Sequence, residues 1–324
     1  MVAVAARHDT NLAVHKSRYV NLGKIAVGLR GNVPVRWVDG VGPTEIDPTW
    51  SAFRPALQAL TLSRAGDVVL ASDYYSGRTF RWDAVTGSTE LGQLEGAGPK
   101  TLAYHMSDIG DVIAGTAGDG IAEPARAFRW TEATGLQALG AVPGTPAGAS
   151  TSVFGIAADG SAIIGQVALD SSFAHAFRWT AATGMQDLTP GDRKSQVTYV
   201  SPNGEVVIGY FWIDVGSAVG GFRWTEATGA LEVNYTRPLG IGADGDLLVG
   251  DTLQGPSIET FGKLAGKMPD LVRVAGPGLV PSGWSDPRLD GVSRDGRLLV
   301  GNGINPNGQR EPWLLHLIEA CPAR

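Results

Sequence analysis

Apolar and polar residues alternate along this chain in short runs, and the runs are punctuated by glycine, often after aspartate or asparagine. A period of two is the signature of a half-buried strand, and Asp-Gly or Asn-Gly between two such runs is the strongest local signal for a two-residue hairpin turn. The pattern predicts a strand A ending at Asp-Gly and a strand B such as Asp111-Val-Ile-Ala-Gly115. A strand C carrying Phe-Arg-Trp and a strand D such as Leu136-Gln-Ala-Leu139 follow. On strand C the alternation puts Phe and Trp on one face and Arg on the other.

The tryptophans show that this four-strand module repeats. Trp37, Trp82, Trp130, Trp179, Trp224 and Trp313 recur at intervals of 45, 48, 49, 45 and 89 residues, the last being two periods. Phe261 fills the gap, because Gly266 follows it by five, as Gly42, Gly87, Gly135, Gly184 and Gly229 each follow their own Trp. A second ladder of turn glycines interleaves: Gly23, Gly66, Gly110, Gly160, Gly204, Gly245 and Gly296. Short strands in a fixed radial repeat predict a β-propeller, in which neighbouring blades bury each other's faces and closure leaves no long sheet edge. The expected fold is all-β: a seven-bladed β-propeller of four-stranded antiparallel blades, a single domain spanning 1–324. The chain after Trp313 is too short to supply a fourth strand. Residues 2–6, Val2-Ala-Val-Ala-Ala6, are therefore expected to close the ring as the outer strand of the last blade.

The consensus Ser/Ala-x-Asp-Gly-x4-Gly, followed by His-Ala-Phe-Arg-Trp-Thr-x-Ala-Thr-Gly-Met/Leu, resembles the HAF-repeat family of bacterial extracellular repeat proteins. His175-Ala176-Phe177 is the eponymous tripeptide. Repeats with Trp82, Trp130, Trp179 and Trp224 match well, and the first, sixth and seventh are degenerate. The resemblance implies a propeller and leans toward an extracellular or periplasmic setting, and it brings no catalytic residues with it. Met1–Arg7 lacks the basic start and apolar core of a signal peptide, which leaves the cytoplasm open. Arg78, Arg126, Gly220 and Glu311 replace the histidine in other repeats, so it cannot form a sevenfold ligand ring.

Composition narrows the function classes. With 26 Lys and Arg against 32 Asp and Glu the net charge is −6, which argues against nucleic-acid or anionic-membrane binding through a basic field. No apolar run approaches the roughly 18 residues of a spanning helix, and a monomer without membrane insertion is expected. The single Cys321 excludes an intrachain disulfide and a multi-cysteine metal site. No cofactor or metal site is predicted. The 45 Gly and 19 Pro fit a turn-rich β fold.

The repeating Trp and Phe read as packing wedges between blades, and the repeating Arg as a partner for acidic or carbonyl groups of the next turn. A repeat lectin would instead use the tryptophans as sugar platforms. Function is expected where the repeat breaks. From turn Gly to Trp the count runs 14, 16, 20, 19, 20, 16, 17, and from Trp to the next turn Gly 29, 28, 30, 25, 21, 35. The A–B and C–D turns are constant, so all length variation falls on the B–C and D–A connections at the opposite end, where loops on a rigid scaffold carry function. There stand Tyr74, Tyr75, Trp212, Asp214 and Trp284. Eight before each turn Gly come His15, Gln58, Leu102, Ser152, Gln196, Arg237 and Arg288, a mostly polar set at the expected channel mouth. Five before it come Arg18, Thr61, His105 and Tyr199, with glycine in other repeats.

The leading reading is a binding or interaction propeller for a small polar, even anionic, ligand or a protein partner, contacted by Arg18, Gln58, Gln196, Arg237, Arg288 and the loop aromatics. An enzyme, a lyase, isomerase or hydrolase with His15, His105, Tyr199 and Asp290 as acid–base candidates, is the alternative. A repeat lectin is the third. Asp286 and Asp290 are the nearest carboxylates in sequence that would neutralise the arginines.

Overall fold

A computed structural model of the chain describes residues 25–316 apart from 31–32, 48–49, 51–56, 121–122, 171–172, 192, 214–216, 234–236, 243–244, 246, 253–254, 261–283 and 293–297. Among the described residues its extended regular elements are β-strands. The first sheet holds β1 (Ile25–Arg30), β2 (Val33–Val38) and β3 (Gly42–Glu45). The second holds β4 (Leu57–Leu62), β5 (Val68–Asp73), β6 (Arg78–Asp83) and β7 (Gly87–Glu90). The third holds β8 (Thr101–Met106), β9 (Val112–Ala117), β10 (Arg126–Thr131) and β11 (Gly135–Ala138). The fourth holds β12 (Thr151–Ile156), β13 (Ala162–Ala168), β14 (Ala174–Thr180) and β15 (Gly184–Asp187). The fifth holds β16 (Lys194–Val200), β17 (Val206–Ile213), β18 (Ser217–Thr225) and β19 (Gly229–Val233). The sixth holds β20 (Arg237–Ile241), β21 (Leu247–Thr252) and β22 (Gly255–Thr260), and the last β23 (Ser285–Val292), β24 (Leu298–Ile304) and β25 (Arg310–His316).

In every sheet the strands lie in sequence order, the up-and-down meander of a β-propeller blade. Among the described residues, four sheets have four strands and three have three. The strands predicted ahead of Gly23 and after Gly266, and the ring closure by residues 2–6, lie outside the described residues. By contact the chain forms two compact units, one comprising residues up to Ala141 with Pro146–Gly160, the other Val142–Thr145 with residues from Ser161 onward. The division falls in the fourth sheet, with β12 in the first unit.

The repeated residues lock neighbouring sheets together at the A–B turn end. The Arg of Phe-Arg-Trp donates to the carbonyl of the next repeat's turn glycine: Arg36 to Gly66, Arg81 Nε to Gly110 (3.1 Å) and Arg178 Nε to Gly204 (3.0 Å). Arg223 Nη2 does the same to Gly245 at 3.2 Å. The predicted pairing of these arginines with the next turn is thus observed for four of them. The glycine itself is required twice. Gly110 sits at φ +73°, and a Cβ there would lie 2.8 Å from Val68 on the preceding sheet. Gly66, Gly160 and Gly245 face Ile25, Val112 and Val206 in the same way. Successive turns are also stitched by backbone: Arg64 N–H donates to Asp108 O and Asp108 N–H to Ala158 O, both at 2.7 Å.

The remaining consensus residues build the turns. Buried Ser63, Ser107 and Ser201 accept from the amides of Val68, Val112 and Val206 across their A–B turns. In Trp-Thr-x-Ala-Thr-Gly the two threonine hydroxyls bond each other: Thr131 with Thr134, Thr180 with Thr183, and Thr225 with Thr228. The Phe of each motif is core, with Phe128, Phe177 and Phe222 fully buried. Trp130 and Trp224 are buried, whereas Trp82 and Trp179 are half-buried. Arg178 lies over the Trp224 ring at 5.2 Å, a cation–π contact between adjacent sheets.

Candidate functional site

With one end of each blade fixed by these clasps, the other is free to vary, and in the first compact unit its loops converge. The B–C turn Tyr74–Gly77 and the D–A connection ending at Lys100 meet where Thr101 N–H donates to Gly77 O at 2.7 Å. The Lys100 carbonyl accepts from Gly118 N–H of the next B–C loop at 2.8 Å. Gly77 permits this approach: at φ +69°, a Cβ would lie 2.9 Å from Lys100 Cα. The turn is stiffened by Asp73, buried, whose carboxylate accepts from Tyr75 N–H at 3.0 Å while its carbonyl accepts from Gly77 N–H at 2.9 Å. Beneath it, Ser72 Oγ donates to Ala103 O (2.6 Å) and Thr79 Oγ1 to Thr101 O (2.7 Å), pinning β8.

This scaffold presents an aromatic and cationic patch. Tyr74 is 45% and Tyr75 76% exposed, and their rings meet edge to face at 6.0 Å and 82°. Lys100 Nζ lies 5.1 Å from the Tyr74 ring centroid. Half-buried Tyr104 on β8 completes the group, and burial, with the neighbouring Tyr74, holds its phenol above the usual tyrosine range. Tyr104 is the extra residue of a β-bulge, since the pairing of β8 with β9 slips between Ala103 and His105. Arg78, the nearest guanidinium in sequence, is engaged by both carboxylate oxygens of Glu90 and stacks on Phe80. Its bond holds the Glu90 carboxyl below the ordinary range. Among the described residues no carboxylate pairs with Lys100.

The other predicted residues stand on or beside several strands. His105 is half-buried on β8, directly after the bulge. Tyr199, 42% exposed, is on β16 in the second compact unit. Gln196 is half-buried opposite Tyr210. Trp212 is half-buried, its ring 5.2 Å from that of Tyr210. Trp284 is half-buried just before β23. Gln58 and Asp290 are the bulged residues of β4 and β23, Arg237 pairs in register with Asp251, and Arg288 with Asn302. Asp286 binds the guanidinium of Arg310. His15, Arg18 and Asp214 lie outside the described residues. Tyr74 and Tyr75 are the predicted residues that do form a group, and Lys100 and Tyr104 are the members that sequence reasoning missed. Counting eight and five residues back from Gly110 passes over Tyr104, which is itself the extra residue of the bulge.

The histidine of the His-Ala-Phe tripeptide is structural. His175 is 4% exposed, with Nδ1 2.7 Å from Asp187 Oδ2 and Nε2 3.0 Å from the Gly191 carbonyl. Asp187 Oδ1 accepts from Thr189 N–H at 2.9 Å. The ring ties strand C to the connection leaving strand D. Among the described residues no group of three or more His, Cys, Asp or Glu is placed to hold a metal.

No family model matches this chain, and no curated protein matches it. Solved structures do. A dipeptidyl peptidase 4 of Porphyromonas gingivalis aligns with a TM-score of 0.60 at 11% identity, over 93% of this chain and 53% of that one. A prolyl endopeptidase aligns with 0.56 at 11%, over 96% and 51%. An oligogalacturonate lyase in complex with manganese aligns with 0.50 at 12%, over 91% and 86%. The chain spans about half the length of the two peptidases. At such identities the likeness is one of fold, and the fold is a β-propeller.

Proposed function

We propose that this protein is a binding propeller, and that its loop end in the first compact unit takes a small polar ligand on Tyr74, Tyr75, Tyr104 and Lys100. The carrying observation is the exposure of two adjacent tyrosines on a turn stiffened by its own aspartate. Large rigid aromatics held in water at little conformational cost are what binding surfaces use as anchors. The consensus around His175-Ala-Phe-Arg-Trp supports membership of the HAF-repeat family, whose repeated residues all serve packing and turns here.

Calorimetric titration against panels of sugars, organic acids and short peptides tests the reading. The expected result is saturable binding of one class, weakened about tenfold by Tyr75→Ala, the scale of an anchor truncation of about 1.4 kcal/mol. A ligand whose affinity is indifferent to Tyr74→Ala and Tyr75→Ala would place the binding surface elsewhere and overturn it.

A further inference from the structure

We propose that the ligand class of this patch is a carboxylated sugar, an inference that rests on the binding reading above. Three features select it. The exposed Tyr75 ring offers a flat apolar face suited to the C–H face of a pyranose. Tyr74 stands at 82° to it, so the pair does not form the parallel slot that would sandwich a nucleobase or another planar aromatic. Three phenolic hydroxyls, on Tyr74, Tyr75 and Tyr104, can both donate and accept, which is the bonding a polyhydroxylated ring requires.

Charge supplies the acid. Lys100 brings one compact positive charge to the edge of this surface, held 5.1 Å from the Tyr74 ring and fixed at its carbonyl by Gly118 N–H and, one residue on, by the bond of Thr101 N–H to Gly77 O. Arg78 is committed to Glu90, and an Asp73 oxygen accepts from the amide of Tyr75. A single ammonium matches a singly charged carboxylate, whereas a phosphate dianion calls for an arginine fork or several cations. An aromatic platform, a set of hydroxyls and one cation together describe a uronic acid residue.

The test compares short oligoglucuronates with the same oligomers after chemical reduction of their carboxyl groups, titrated into the wild type, Lys100→Gln, Lys100→Arg and Tyr75→Ala. Each variant is first shown by circular dichroism and thermal melting to be folded. Wild type is expected to favour the acidic oligomer by roughly threefold to tenfold, the scale of an exposed ion pair reinforced by hydrogen bonding. Lys100→Gln is expected to erase that preference, Lys100→Arg to restore it in part, and Tyr75→Ala to weaken both oligomers. Added salt should shrink the preference, because the pair is exposed. Equal binding of the two oligomers by wild type would overturn the carboxylate inference while leaving the binding reading intact. Failure of the acidic oligomer to bind, or competition by inorganic phosphate at lower concentration than glucuronate, would overturn it as well. Acidic binding unmoved by both Lys100→Gln and Tyr75→Ala would overturn the site itself.

Discussion

If the turn glycines lock one blade to the next, then Gly110→Ala must cost more than the backbone strain of an alanine at positive φ. Gly110 lies at φ +73°, and its missing Cβ would sit 2.8 Å from Val68 Cβ and Cγ1 and 3.1 Å from Cγ2. Val68 is itself only 2% exposed and has little room to retreat. The left-handed conformation alone costs an L-residue about 1–2 kcal/mol. Forcing a methyl into a packed contact adds roughly 1–3 kcal/mol, so the variant should lose about 2–5 kcal/mol. Gly135 isolates the second component: it has φ +64°, but a Cβ there meets nothing within 4 Å. Gly135→Ala should therefore lose only the first 1–2 kcal/mol or so. Guanidinium unfolding of both variants, read as the shift in midpoint at constant slope, gives the difference directly. Equal losses for Gly110→Ala and Gly135→Ala would refute the interlock.

Three further outcomes are expected. Arg178→Met removes the bond to the Gly204 carbonyl and the charge over Trp224 and should cost about 1–3 kcal/mol, the range for a hydrogen bond to a charged group, measured by denaturant unfolding. His175→Ala strips a buried ring from Asp187 and Gly191 and should cost about 2–4 kcal/mol, since it leaves a cavity and unpaired acceptors; an unchanged melting curve would remove its structural role. Tyr104, raised by burial, contributes stability that is complete below the unfolded phenol value of about 10 and is lost as pH rises through its folded value. Tyrosinate absorbance should show one late-titrating phenol in wild type that Tyr104→Phe removes, and removal of an early one instead would contradict the burial.

The blade module was legible in the sequence because each of its residues answers a demand that is local or reaches only the adjacent repeat. The turn glycine must adopt positive φ and leave room for a Val or Ile one repeat back. Ser63 and its equivalents must cap their own turn, and the Arg of Phe-Arg-Trp must reach the next turn's carbonyl. The same demand met in successive blades writes itself as a period. The aromatic half of the candidate site was legible as well, for the opposite reason: Asp73-Tyr74-Tyr75 stands out where the repeat is broken. Only the tertiary structure added Lys100 and Tyr104. Lys100 reaches the tyrosines because Gly77 lets two loops of different origin touch, a coincidence of folding that leaves no periodic trace. Tyr104 is the residue that a bulge leaves unpaired in β8, so its direction does not follow from the regular alternation of the strand. Position along a regular strand follows from counting, whereas the meeting of irregular segments is set by the packing of the blades that carry them.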